Sequence, residues 1–275
     1  MTARAFRAGV FVTLLAGVSL IWAADTDRSP RIDLNQMSLE VTALQTLQQF
    51  QFTYGQMEKI RQCARETMEK GRPRKDAHAS QEFQDKLRDL HKALTKAADQ
   101  DLIELLSEEL EDLRYDEKPV LDDEVLLTKE ARRHAPELLR LLKTNQYAAF
   151  TGLLVDLVDP LDLLAESLSK VRELKGAEWR DKRKQIAAEI GRLVGGVNAA
   201  KETKAKKAVV DLLTRARKLS SEEFDDQVEE LTQAARDIIG KTSPADVIRN
   251  EVEYCLAELL SNTALSAALA ARLQL

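Results

Sequence analysis

This chain reads as all-helical: an irregular multi-helix bundle with a long amphipathic pair of helices towards its N-terminal end. Three observations predict that class. Helix breakers are scarce, with 10 Gly and 6 Pro in 275 residues, while Leu, Ala, Glu, Lys and Arg, which enter helices at least cost, are abundant. Apolar residues recur at three- and four-residue intervals. No run alternates apolar with polar residues for long enough to build a sheet.

The elements follow in order. Arg4 and Arg7 precede an uncharged apolar run from Ala8 to Ala24, which Asp25 ends. A positive start followed by an apolar run is the layout of an export signal, so residues 1–24 predict a protein that works on the outer side of a membrane, periplasmic or secreted. A cut after Ala23 or Ala24 would place Ile21 or Trp22 at the third position back, so neither site offers small residues at both key positions. The run also lies near the roughly 17-residue lower limit for a span. Removal and retention as an N-terminal anchor both stay open, and with no nearby cysteine there is no lipid-attachment residue.

Residues 25–37 read as a flexible leader. From Ser38 the pattern is helical, with Leu39, Leu44 and Leu47 on one face, and it breaks between Phe50 and Thr53. A second helix, from Tyr54 to Lys70, carries Met57, Ile60, Ala64 and Met68 before Gly71 and Pro73 end it. The stretch from Ser80 to Leu113 holds a stripe from Phe83 and Leu87 through Leu106 and Leu110, and it predicts one long amphipathic helix. Lys118 and Pro119 then mark the expected boundary between an N-terminal lobe, 38–117, and a C-terminal bundle, 118–275. Helices are expected there over 123–142 with a kink at Pro136, then 145–157, 160–174, 177–195, 198–218, 221–239 and 244–272. Asp159-Pro160 and Ser243-Pro244 each set a capping side chain before a proline at the first helical position. Leu127-Thr128 and Leu219-Ser220 open helices in a loosely repeated way that helix-start chemistry alone produces.

Thr53 and Gln56 have the spacing of a capping box, with Phe52 and Met57 placed as its hydrophobic staple; Ser220 and Glu223 repeat the device. The segment Phe50-Gln51-Phe52-Thr53-Tyr54-Gly55-Gln56 resembles the LTxxQ motif of the Spy and CpxP family, small helical proteins of the bacterial periplasm. Thr53 and Gln56 fit that motif, Phe52 stands in place of its leucine, and the match covers about seven residues and the following helix. The resemblance implies an ATP-independent chaperone or a stress-sensor accessory. Phe50, Phe52 and Met57 would then be apolar contacts for a partner.

Without residues 1–24 the chain carries 46 acidic against 39 basic groups, a balance that disfavours the phosphate neutralisation on which nucleic-acid binding runs. The densest basic segments, 179–184 and 201–207, are interspersed with Asp and Glu and read as helix exteriors. Trp179 is expected in the core beside Ile186 and Ile190, and Leu138 to Leu168 is apolar enough to supply core or a groove. Cys63 and Cys255 lie on apolar stripes; either two buried thiols or a Cys63–Cys255 bridge in an oxidising compartment fits them.

Catalytic patterns are weak. Glu130, His134 and Glu137 share a helical face, but Pro136 lies between them, and no His or Cys stands at metal-ligand spacing. Gly191 to Gly196 lacks the Lys and Ser or Thr of a phosphate loop, and Gly191 with Gly195 suits close helix approach instead. Asp156, Asp159 and Asp162 lack the remaining ligands of a calcium loop. The sequence calls for no catalytic residue, cofactor or metal. It favours a non-enzymatic envelope binding or scaffold protein, chaperone-like in one form, with a protein partner or unfolded client. The alternatives are a hydrolase or metal-dependent enzyme whose site converges only in three dimensions, and a membrane-tethered structural oligomer.

Overall fold

In the computed structural model, which describes residues 33–96, 98–152 and 159–274, side chains that precede most of the helices accept hydrogen bonds from the backbone of the first turn. Asp33 caps α1 (Leu34–Gln49), Thr53 caps α2 (Tyr54–Thr67), Ser80 caps α3 (Gln81–Thr95) and Asp99 caps α4 (Gln100–Glu117). Thr128 caps α5 (Lys129–Leu139), which is followed by α6 (Thr144–Gly152). Asp159 caps α7 (Pro160–Lys170), and α8 (Gly176–Gly195) turns directly into α9 (Ala199–Lys218), capped by Asn198. Ser220 caps α10 (Ser221–Ile239); α11 (Pro244–Ser261) and α12 (Leu265–Leu273) complete the chain. Among the described residues there is no strand, only an isolated antiparallel bridge between His78 and Val120, so the all-helical class holds.

Several expected boundaries move: the helix of 123–142 is confined to Lys129–Leu139 by its Thr128 cap, and three others shift for an equally local reason. The long helix of 80–113 is two helices, because Asp99 accepts from the Asp101 amide at 2.9 Å and starts α4 afresh. Helix α1 begins at Leu34 rather than Ser38, since the Asp33 carboxylate accepts from the Gln36 amide. The stretch 244–272 breaks at Asn262, whose Oδ1 accepts from the Ala264 amide at 2.8 Å while its Nδ2 donates to the Leu39 carbonyl at 2.9 Å. Residues 1–24 and most of the expected leader lie outside the described residues. Among the described residues no single helix is long and apolar enough to cross a membrane; α11 and α12 reach that length and composition only together, bent by 91°.

The chain forms two units. One comprises residues 148–255; the other comprises 33–147 together with 256–275, so the expected boundary at Lys118–Pro119 falls inside the second unit. In the first unit, α8 and α9 pack as a hairpin, α10 lies against α9 and α7, and α7 touches α8 and α9. Leu164, Ile190, Val209, Leu213 and Leu231 are fully buried between them. The turn is tight because it lacks side chains: a Cβ on Gly195 would lie 2.5 Å from the Glu202 Cα, and one on Gly191 would lie 2.5 Å from the Lys206 side chain. Gly196 has φ +52°, and Asn250 seals this helix end by donating to the Leu193 and Val194 carbonyls at 2.8 and 3.2 Å.

In the second unit α12 packs on α1, α2 and α3, α3 lies against α1 and α4, and α2 lies against α5. Leu39, Leu44, Phe83, Leu87, Leu265 and Leu269 are buried there.

Candidate functional site

The motif-like segment is a structural joint. Thr53 and Gln56 form the full capping box: the Thr53 amide donates to Gln56 Oε1 at 2.8 Å, and Thr53 Oγ1 accepts from the Gln56 amide at 3.4 Å. Gln56 Nε2 also donates to the Leu141 carbonyl at 2.7 Å and pairs with the amide of Gln146. Gln146, almost fully buried, donates in turn to the carbonyls of Phe50 and Gln51 at 3.1 and 2.7 Å and so holds the turn in which Gln51 has φ +48°.

Phe50 and Phe52 retain 0% and 8% of their exposure, with ring centroids 5.3 Å apart. They are core residues, which corrects their expected role as partner contacts; Met57 is half-buried. Ser220 and Glu223 likewise form a complete capping box, and hydrogen bonds from the Ser220 amide and hydroxyl hold the Glu223 carboxyl below its ordinary pKa.

The other sequence candidates separate. Cys63 and Cys255 are both thiols, so the Cys63–Cys255 bridge is not formed, and the two residues belong to different units. Burial pushes the Cys63 thiol up, with Glu66 adding to the effect, so it remains protonated at neutral pH and weakly nucleophilic. His134 pairs with Glu137 at 2.9 Å, and no group of three or more metal-ligating side chains occurs among the described residues. Asp159 caps α7, while Asp156 lies outside the described residues. Trp179 is buried, with the guanidiniums of Arg183 and Arg217 5.0 and 4.9 Å from its ring centroid. The basic segment that contains it is therefore partly committed to packing.

The sequence reading did not find the densest polar cluster, because its members lie far apart along the chain. Asp122 accepts both Arg72 Nη atoms at 3.1 and 2.8 Å and the Lys75 amide at 3.0 Å. These bonds, the Lys75 amide first, hold the Asp122 carboxyl below its ordinary pKa. Asn35 accepts from the Asp122 amide and donates to the Lys75 carbonyl, and Ser38 donates to Asp123 at 2.6 Å. Arg114 reaches the same Asp123 at 3.2 Å. The cluster clamps the connectors after α2 and α4 onto α1, and its hydrogen-bonding capacity is used within the protein.

An open apolar groove of about 370 Å³ lies between α3 and α4. Ala93, Ala98, Leu102 and Leu106 line it, with Asp89, Lys92 and Lys96 at its edge. Leu102 is 45% exposed and the adjacent Leu105 52%. The α3 stripe turns its larger apolar residues, Phe83, Leu87 and Leu90, fully inward, which leaves the shallow side of the α3–α4 hairpin to alanines and to the leucines of α4. Lys86 pairs with Glu109 at 2.5 Å and ties the two helices together beside it. This geometry can take up an apolar surface; it brings no nucleophile and base together. The chain matches no protein-family model, and neither a known protein nor a solved structure matches it.

Proposed function

We propose that this protein is a non-enzymatic binding or scaffold component on the outer side of a membrane, directed there by residues 1–24, with the α3–α4 groove as its contact surface. The observation that carries the reading is the exposure of Leu102 and Leu105 beside an apolar floor. Covering a leucine is worth about 1.5–3 kcal/mol relative to leaving it in water, so an apolar partner segment gains by lying there. The strongest polar groups support the same reading, because Asp122, Arg72 and Gln146 are used in holding the connectors. The chaperone-like form of this reading takes unfolded apolar segments as clients.

The test compares the protein with a Leu102→Asp/Leu105→Asp variant in two measurements: light scattering from an aggregating client, and retention of envelope proteins on the immobilised chain. The expected result is suppression or retention by the parent protein that the variant loses. Equal behaviour of the two, or no activity in either measurement, overturns the reading.

A further inference from the structure

We infer that the α3–α4 face is covered by a second copy of this chain, in a two-fold pairing that sets α3 of each copy over α4 of the other. The inference rests on the reading of this face as a contact surface and names its occupant.

The argument is one of charge and shape. On α3 the groove edge carries Lys92 and Lys96, both exposed, with Asp89 one turn before Lys92 in the groove lining and paired with it at 3.4 Å. Lys96 has no ion-pair partner among the described residues. On α4, helical spacing puts Asp101 four residues before Leu105 and Glu108 three residues after it, on the side away from α3, and both are exposed. The apolar strip of Leu102 and Leu105 therefore runs between a basic-leaning edge and an acidic edge.

Such a face is complementary to itself. A two-fold axis along the groove sets the Leu102 and Leu105 strip of each copy against the groove of the other, brings the Lys92 and Lys96 edge of each copy to the Asp101 and Glu108 edge of the other, and closes the assembly at two. Because that axis runs along the helices, the C-terminal end of α3 meets the N-terminal end of α4, which is where these four residues lie.

The size of the face sets the strength. Two helices about 22 Å long lying side by side present a face about 20 Å wide, roughly 900 Å² in total for two copies, which places the pairing among weak, exchanging dimers. Its charged edges make it sensitive to salt.

The experiment is sedimentation equilibrium of the purified protein over a range of concentrations, with three variants whose fold is checked by circular dichroism. The parent protein is expected to form a reversible dimer that weakens as salt is raised, and Leu105→Glu to weaken it about tenfold or more. Lys92→Glu/Lys96→Glu and Asp101→Lys/Glu108→Lys should each lose self-association. Mixed together, these two should form a heterodimer tighter than either variant's own pairing, since like-charged edges then become opposite.

A monomer at every concentration overturns the inference, as does a dimer that ignores Leu105 and the charge exchanges. A monomer that still binds other proteins through Leu102 and Leu105 overturns this inference alone and leaves the proposed function standing. A dimer behaving as described, with no binding of any other protein, supports the inference and restricts the contact surface to self-assembly.

Discussion

Residues 148–255 build their unit from helices that follow one another along the chain, whereas the other unit is closed by segments from its two ends. In the first, α8 meets α9 across a turn in which Gly195 admits the backbone of the next helix, and α10 returns on α9. In the second, the Asn262 side chain bonds the Leu39 carbonyl 223 residues away, and α12 packs on α1, α2 and α3. Local closure costs little chain entropy and long-range closure more. The second unit consequently depends on its last twenty residues and on a polar clamp between connectors.

The largest expected effect comes from ending the chain after Cys255. This removes Leu256, Leu259, Leu260, Leu265 and Leu269, all nearly fully buried. At about 2 kcal/mol each the loss is about 10 kcal/mol, comparable to a whole domain's stability. Hydrogen exchange should show α1 to α4 unprotected while α8 and α9 keep protection. Equal loss in both units would break the contrast.

A substitution in the first unit tests the converse. The Gly195→Ala methyl would meet the backbone of Glu202 at 2.5 Å, and overpacking against backbone that cannot step aside costs about 3 kcal/mol. Urea unfolding followed by exchange should place that loss in α8 and α9. No change in the midpoint would mean that the hairpin has room to spare.

Removal of the clamp has a smaller effect with a pH signature. Asp122→Ala deletes a carboxylate accepting a guanidinium and a backbone amide, a loss of about 2 kcal/mol. Because its folded pKa is lowered, this contribution is complete above the ordinary aspartate value near about 3.9 and is lost as pH falls through the folded value. Glu251 in the first unit has the opposite sign: burial, opposed by Arg192 at 3.0 Å, raises its carboxyl. Stability from that group therefore increases as pH falls from the raised value towards the ordinary glutamate range. Stability measured as pH falls from 6 should show the difference between the Asp122 variant and the parent staying constant above about pH 4 and shrinking only below it. A difference that shrinks wholly above about pH 5, before the ordinary aspartate range is reached, would rule out the carboxylate as its source.

Much of the fold was legible in the sequence because it is local. The capping residues Asp159 and Ser220 and the box at Thr53 and Gln56 act on atoms within one helix turn, and the small residues Gly191 and Gly195 act on the helix that follows next along the chain. The break at Asp99 was hidden by a leucine stripe that continues in phase on both sides of it, so periodicity read one helix where the cap makes two. The clamp of Arg72 and Asp122 was invisible for a different reason: its members are 50 residues apart, and nothing in either neighbourhood marks the other.

The helical class and the start of most helices could be read from the chain alone, since propensity, capping and apolar periodicity act over one or two turns. Packing in three dimensions settled that Phe50 and Phe52 are core, that 256–275 returns to the N-terminal unit, and that Leu102 and Leu105 are left in water. Those outcomes depend on which apolar stripe finds which partner, and a stripe of leucines looks the same whether it faces a neighbouring helix or an open groove.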